Sequence, residues 1–356
     1  MPYSKRVFVP VLAAIGLCTG MAAAAETVKD FQKLCAAKAA ECEKSDAAVV
    51  SGRDGWLFFS QSLRHVSLEK FWGEEAAKAC RAQKAQWADP APAIVKFHND
   101  LKQLGIELLL VPVPPKVLTY PDKLDARFSP GKRLDDGLAA FYQTLEKQGV
   151  AVLDLLPHFM AARAEDEKEG PVYCRTDVHF SPRGALLAAR LMAAELKKRP
   201  WVKNVPTQDI GMKEEPLEIT GDLVRMLGEA GKSMGKEKIR LFRVGRKAGE
   251  KLERIEPDKN SPVLLLGDSH TLIYHDGDDL HATQGGLPDL LAWELGFPVD
   301  LLGIRGSAAT TARVDLYRTA SGEPAWLAKK KVVIYCFTSR ELTESAGGWR
   351  PLPVVK

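Results

Sequence analysis

The chain has 356 residues, 46% hydrophobic and 27% charged, with 28 Gly and 22 Pro. That composition excludes collagen-like, wholly disordered and polytopic membrane proteins and leaves one large or two modest globular domains. The formal charge is +4, of which Lys5 and Arg6 contribute two, and no basic run interleaves with aromatics, so no nucleic-acid partner is expected.

Lys5 and Arg6 precede an apolar run from Val7 to Leu17, and small residues then end in Ala23-Ala24-Ala25. A charged start, an apolar middle and an Ala-x-Ala end form the layout of a secretory signal, here cut after Ala25. The alternative is an uncleaved membrane anchor, disfavoured because the run falls short of the ~20 residues of a spanning helix. Lipidation at Cys18 is not expected, because Leu17 stands where a lipoprotein site needs a small residue. Cys35, Cys42, Cys80, Cys174 and Cys336 remain. An exported chain can hold disulfides, and a bridge among Cys35, Cys42 and Cys80 is open to it. Five is an odd number, so at least one thiol stays free or pairs between chains. No Cys-x-x-Cys or Cys/His cluster at zinc spacing occurs.

Residues 26–48 are rich in Ala, Lys and Glu and predict a helix. Gly52 to Phe59 predicts a turn feeding a short aromatic strand, and 67–104 reads mainly as helix, interrupted by Asp89-Pro90-Ala91-Pro92. Ile106 to Val113 is a continuous apolar run, as in a strand buried on both faces of a parallel sheet. Leu134, Leu138, Phe141 and Leu145 repeat at helical spacing, with Gly149 as the stop, and Val150 to Leu153 is a second short strand. Ser181 caps a helix with Pro182 at its first position and Leu187, Leu191 and Ala194 on one face. Residues 203–260 are polar without a sustained period and read as a solvated insertion in preference to a substrate groove. Then come a strand in PVLLLG ending at Gly267, a helix over Leu287–Leu295, and strands in PVDLLGI and KVVIYCF. This alternation predicts a doubly wound α/β sheet.

In open α/β sheets, sites collect at the carboxyl ends of the strands. Ser269 lies just past the end of the strongest strand, in Gly267-Asp268-Ser269-His270. There a hydroxyl is exposed, and backbone N–H groups of a following helix can hold an oxyanion. A plain turn with Ser269 as helix cap would read the same. A nucleophilic serine needs a base, and the base needs an orienting acid. Asp177-Val178-His179 offers both on one side of an extended segment; the alternative is two exposed loop residues. The run Tyr274 to His281 is read as a solvated loop, open to facing substrate; hard-cation binding by its clustered carboxylates is the alternative, disfavoured because they lack the spacing of an EF-hand. His270 reads as a neighbour and not a second base. Lys116 either meets an anionic substrate or caps its loop.

Gly-Asp-Ser at a strand end resembles the first block of the SGNH/GDSL hydrolases, in most of which Asp-x-x-His follows the serine. Here Asp-x-His comes first, an order that resembles the SGNH-like domain of the bacterial alginate O-acetyltransferases (AlgJ/AlgX-like). GRDGWLFF at 52–59, VPVPPKVLTYPDKL at 111–124, TDVHFSPRGA at 176–185 and TGDLVRML at 220–227 are similar to that family's blocks, in order. The resemblance covers about residues 50–345. It implies an SGNH/flavodoxin-like, doubly wound, mostly parallel sheet with helices on both faces. The chain then divides into a signal (1–25), an N-terminal helical segment (26–49), one acetyltransferase domain (50–345, with 203–260 as insertion) and a tail (346–356), with no carbohydrate-binding module expected after 345. Ser269 matches the nucleophile, His179 its base and Asp177 the residue that orients the base. Arg305, with Gly306, matches a group near the oxyanion or substrate. Arg340 matches an arginine of the closing segment, where the family often has Trp-Glu and this chain has Tyr335-Cys336 and Ser339.

The resemblance thus implies a periplasmic O-acetyltransferase acting on a polysaccharide acceptor through an acetyl-serine. A membrane-embedded acyltransferase partner would supply acetyl, and neither cofactor nor metal is expected. Two readings remain beside it: an esterase or deacetylase with the same triad, and a non-catalytic polysaccharide-binding assembly protein.

Overall fold

The computed structural model describes the backbone from Cys18 and the side chains from Val28 onward to Lys356. Lys5, Arg6 and the run Val7–Leu17 of the expected signal lie outside the described residues. The expected cut after Ala25 falls within a continuous helix, Cys18–Lys44.

In chain order the strands are β1 (Val49–Ser51), β2 (Leu57–Phe59), β3 (Glu107–Val113), β4 (Ala151–Val152), β5 (Ile210–Ile219), β6 (Glu237–Ala248), β7 (Lys251–Glu253), β8 (Val263–Gly267), β9 (Asp300–Gly303) and β10 (Val332–Thr338). The central sheet has the order β4-β3-β10-β8-β9, and all its pairings are parallel. Every residue of β8 and β10 is buried, and so is every residue of β3 after Glu107. Strands buried on both faces need helices over both faces, as in doubly wound folds. The flavodoxin-type order would continue outward from β8 to β9 to β10. Here the last strand instead inserts in the middle, between β3 and β8.

That insertion matters for the site. Cys336 of β10 lies opposite Gly267 of β8, so the carboxyl ends of the two strands emerge side by side. One continuous core runs from Val28 to Val354. The helix Cys18–Lys44 contributes Phe31, Cys35 and Ala39 to it, and the tail contributes Trp349.

Several local expectations are corrected. Asp89-Pro90-Ala91-Pro92 does not interrupt a helix but starts one, Pro90–Gln103: the Asp89 carboxylate accepts the Ala91 N–H at 2.9 Å and proline takes the first helical position. Residues 67–88 are mostly irregular, with only a short helix, Ala76–Ala79. Phe71 and Trp72 hold that stretch by packing on Phe141, with ring centroids 5.0 and 5.4 Å apart. In the helix Pro182–Lys197 the buried face is Ala185, Leu186, Ala189, Met192, Ala193 and Leu196, while Ala194 is exposed. Alanines form much of the close-packed face, so the leucine spacing alone misplaced it.

The polar segment 203–260 holds regular structure. β5 and β6 pair antiparallel from Ile210↔Arg246 to Ile219↔Glu237, and β7 extends the sheet. Leu241, Phe242 and Val244 are buried, with Leu241 on one face of the strand and Phe242 and Val244 on the other. Long charged side chains pair across the strands on both faces, Arg240 with Glu214 and Arg243 with Glu215, and hide the period. The bridge left open among Cys35, Cys42 and Cys80 does not form: all three are free thiols, and Cys80 Sγ donates instead to the Phe71 carbonyl at 3.3 Å.

Gly267 is required by the close approach of two strand ends. A Cβ there would stand 1.9 Å from the Cys336 carbonyl oxygen and 2.6 Å from Thr271 Cγ2. Gly267→Ala is expected to lower the urea unfolding midpoint at unchanged m, by about 2–3 kcal/mol of stability; an unmoved midpoint would refute the close approach.

Candidate active site

The site grows from the carboxyl end of β8. Asp268 follows Gly267 and is buried, and its carboxylate ties the turn in two directions. Oδ1 accepts the His270 N–H at 2.9 Å, and Oδ2 accepts the Thr338 N–H at the end of β10, at 2.6 Å. Burial opposes its charge, but the His270 imidazole and these N–H donors hold the carboxyl below its usual range. Ser269 opens a short 3₁₀ turn, Ser269–Thr271, and is partly buried. The helix expected over Leu287–Leu295 is present, but the serine is followed by this 3₁₀ turn and not by a helix N-terminus, so no helix dipole stands behind it.

The second half of the site is the loop 174–179. Lys116, at the end of β3, is buried, and its ammonium donates to the carbonyls of Cys174 (2.9 Å), Arg175 (3.1 Å) and Asp177 (2.8 Å). A lysine has three N–H donors, so all are used, and Lys116 caps not its own loop, as one reading of the sequence has it, but the loop 174–179. Burial pulls that ammonium down to about 8. From β6, the Glu237 carboxylate accepts the N–H groups of Arg175 (2.8 Å) and Thr176 (2.9 Å). Carbonyls and amides of one irregular loop are thus fixed by one buried cation and one carboxylate. Gly221 lets the chain press against this loop, since a Cβ there would meet the Thr176 carbonyl oxygen at 2.0 Å.

These supports bring the three expected residues together. His179 Nε2 lies 2.7 Å from Ser269 Oγ, and His179 Nδ1 lies 2.7 Å from Asp177 Oδ1. With Asp177 ionised, the ring proton sits on Nδ1 and Nε2 is bare to accept from the serine hydroxyl. Burial works against the charge of Asp177, yet His179 and His281 hold its carboxyl well below the ordinary range. Burial also lowers the His179 pKa, but the Asp177 charge more than offsets this and raises it above the ordinary imidazole value.

Two residues of the site are not assigned to it from the sequence: Asp222, and His281, whose run reads as a solvated loop. Asp222 lies with its Oδ2 3.8 Å from His179 Nδ1. Its own N–H donates to Asp177 Oδ2 at 2.9 Å, while its Oδ1 accepts the Val178 N–H at 2.8 Å. Burial, with the Asp177 charge next in weight, pushes the Asp222 carboxyl up to about 6. Its block, TGDLVRML, was visible, but nothing in it marked a contact with residue 177. His281 lies with Nε2 2.9 Å from Asp177 Oδ2. The loop it belongs to is therefore not simply solvated, since His275 in the same loop is also buried, 2.9 Å from Asp289.

The outer candidates sit further from the reacting atoms. Ile304 N–H donates to the Gly267 carbonyl at 3.0 Å, so the Arg305–Gly306 turn follows directly beside the carboxyl end of β8. Arg305 itself points to Asp279, at 2.6 Å, and both are more than half exposed. Gly306 takes a left-handed φ of +95°. Arg340 donates to Thr338 Oγ1 at 3.0 Å, lies 5.1 Å over the Phe59 ring and lines a small cleft with Val178 and His270.

The family model described as SGNH hydrolase-like domain, acetyltransferase AlgX, matches residues 49–311. The chain is 28% identical over 179 residues to a probable alginate O-acetylase AlgJ of Pseudomonas syringae pv. tomato, covering 50% of this chain and 41% of that protein. To the AlgJ of Pseudomonas putida it is 27% identical over 237 residues, covering 64% and 56%. The matched stretch thus spans about half the length of these relatives. Among solved structures, the O-acetyltransferase domain of Pseudomonas putida AlgJ superposes with a TM-score of 0.61 at 22% identity, covering 83% of this chain and 92% of that one. Pseudomonas aeruginosa AlgX superposes at 0.59 with 18% identity, covering 84% and 64%.

If His179 must be neutral to accept the serine proton, the acidic limb of the rate of Ser269 acylation follows its pKa. The Asp222 charge raises that pKa. Asp222→Asn keeps an acceptor for the Val178 N–H and removes the charge, so the limb is expected to move to lower pH, by roughly half to one unit. A pH series of acylation rates checks this, and an unmoved or upward-shifted limb contradicts it.

Proposed function

This chain belongs to the family of SGNH hydrolase-like, AlgX-type acetyltransferase domains, and we propose that it is an exported O-acetyltransferase that moves acetyl onto polysaccharide hydroxyls through an acetyl-serine at Ser269. The observation that carries this reading is the pair of 2.7 Å contacts, Asp177 to His179 and His179 to Ser269. An alginate-like polymer is the acceptor favoured by the names of the relatives, which are called alginate O-acetylases.

The chemistry balances with this chain's own groups. His179 Nε2 takes the Ser269 proton as Oγ attacks the acetyl carbonyl of the donor. The tetrahedral intermediate collapses, its leaving group takes the proton from His179, and the acetyl stays on Oγ. A sugar hydroxyl then gives its proton to His179 and attacks, and Oγ leaves with that proton. Asp177 keeps the imidazole tautomer and stabilises the imidazolium in each half. The Ser269 N–H and a donor from the Arg305–Gly306 turn are the groups assigned to the oxyanion, since the His270 N–H is already given to Asp268. Lys5, Arg6, the Val7–Leu17 run and Ala23–Ala25 support export to the periplasm. An activated acetyl group outside the cytoplasm needs a supplier, and a membrane-embedded acyltransferase fits that need.

Intact-protein mass after incubation with an activated acetyl ester is expected to rise by one acetyl group, and the gain is expected to vanish in Ser269→Ala. Added alginate oligosaccharide should then carry the acetyl. An adduct that persists without Ser269 sinks the nucleophile assignment, and release of all acetyl as free acetate turns the enzyme into an esterase.

A further inference from the structure

We propose that His281 is a positioning residue that clamps Asp177, completing with the Asp222 N–H the hold on one oxygen of the carboxylate whose other oxygen orients His179. The inference rests on the reading of Ser269, His179 and Asp177 as the reacting set.

The Asp177 carboxylate is 1% exposed and has two oxygens to satisfy. Oδ1 accepts the His179 N–H at 3.0 Å and His179 Nδ1–H at 2.7 Å. Oδ2 accepts the Asp222 N–H at 2.9 Å and faces His281 Nε2 at 2.9 Å. Only a protonated Nε2 can approach an ionised carboxylate this closely, so His281 is a donor here. The Asp222 N–H meets one lone pair of Oδ2 and His281 the other, so each oxygen carries two donors and the carboxylate plane and, through it, the His179 ring are fixed. The His281 side chain is 6% exposed, which marks it as part of the interior and not of a solvated loop.

The backbone that delivers His281 is strained. His281 has φ +76°, and Tyr274 (+61°), Asp278 (+49°) and Gln284 (+65°) share the left-handed region within the same short segment. Non-glycine residues hold such angles only where their surroundings over-determine them, and such strain clusters at functional sites. The surroundings are visible. The Ile273 N–H donates to the Ser269 carbonyl at 2.8 Å, and the Tyr274 hydroxyl donates to the Phe180 carbonyl at 3.2 Å. His275 and the Gly286 N–H both bind Asp289, at 2.9 and 3.0 Å. The segment therefore starts at the nucleophile turn, crosses to the acid–base loop and ends at the next helix. His281 is its contact with Asp177.

The clamp also sets the basicity of the pair. Removing a donor from Oδ2 makes Asp177 a stronger partner for the His179 Nδ1–H, so the imidazolium is favoured and the acidic limb moves up. The groups facing this pair are Asp222, Asp268, His270 and the Lys116 ammonium, with Glu237 over the loop amides, Tyr274 beside the His281 ring, and Arg225 bound to the Asp279 carbonyl. The expected shift for His281 is opposite in sign to that for Asp222→Asn.

The test compares His281→Gln, which keeps a donor at the Nε2 position, with His281→Phe, which keeps a ring and loses the donor. In acylation of Ser269 by an activated acetyl ester, Gln is expected to retain kcat within about threefold, while Phe loses about tenfold or more at little-changed KM, with its acidic limb moved to higher pH. A Phe variant as active as wild type, or equal losses in both variants with an unmoved limb, overturns the proposal. Nitrogen-15 histidine NMR on the unaltered protein decides it independently of how the variants fold: His281 is expected to carry its proton on Nε2, and a bare Nε2 refutes the clamp. If the unaltered protein never acylates Ser269, the functional reading fails, while the NMR outcome still reports whether His281 holds Asp177.

Discussion

A single buried carboxylate organises this molecule's chemistry. Asp177 is surrounded by N–H donors from His179, Asp222 and His281 on three separate stretches of chain. A buried charge is costly unless each lone pair is met, and an unmet one costs more than any single contact gains. Those three stretches must therefore arrive together. The loop 174–179 is braced by Lys116 and Glu237, the turn at 221–222 presses against Thr176, and the segment after Ser269 is bent through left-handed angles to close the set. A charge held this way stabilises a neighbouring imidazolium without moving, which is preorganisation in its literal sense.

The sheet supplies the frame for that charge. β3 ends just before the short helix that Lys116 opens, β8 ends just before Ser269, and β10 ends between them at Thr338. Asp268 ties β8 to β10 across this edge through the Thr338 N–H. The ribbon of β1 and β2 adds a small second apolar cluster in which Val49 and Leu57 pack with Leu223 and Val224, with Val178 against it. That cluster supports from below both the Asp222 turn and the Asp177–His179 loop. The segment from β5 to β7 contributes Glu237 to the same loop, so the polar excursion is part of the site's scaffold.

The sequence made some of this legible. Central strands appear as unbroken apolar runs because both faces are covered, and Ser181-Pro182 and Gly149 punctuate their helices through local stereochemistry. Ser269, His179 and Asp177 were legible because the chemistry restricts residue type and the strand end restricts place. Asp222 and His281 were not, since each reaches Asp177 from another part of the chain through backbone geometry that side-chain spacing does not encode. The left-handed φ of His281 has no signature in a histidine, whereas a glycine would have announced it. The insertion's strands were hidden for a related reason: paired charges on both faces blur the alternation.

The central place of β10 has a consequence for how the chain acquires its structure. β3 and β8 have no direct pairing and meet only through residues 332–338. Until those late residues have been synthesised, the growing polypeptide lacks the strand that joins β3 to β8. Contacts between such distant parts of a chain close slowly, because the loop entropy must be met before pairing rewards it. The complete five-stranded sheet, and with it the edge on which Asp268 meets Thr338, therefore requires the last strand of the chain.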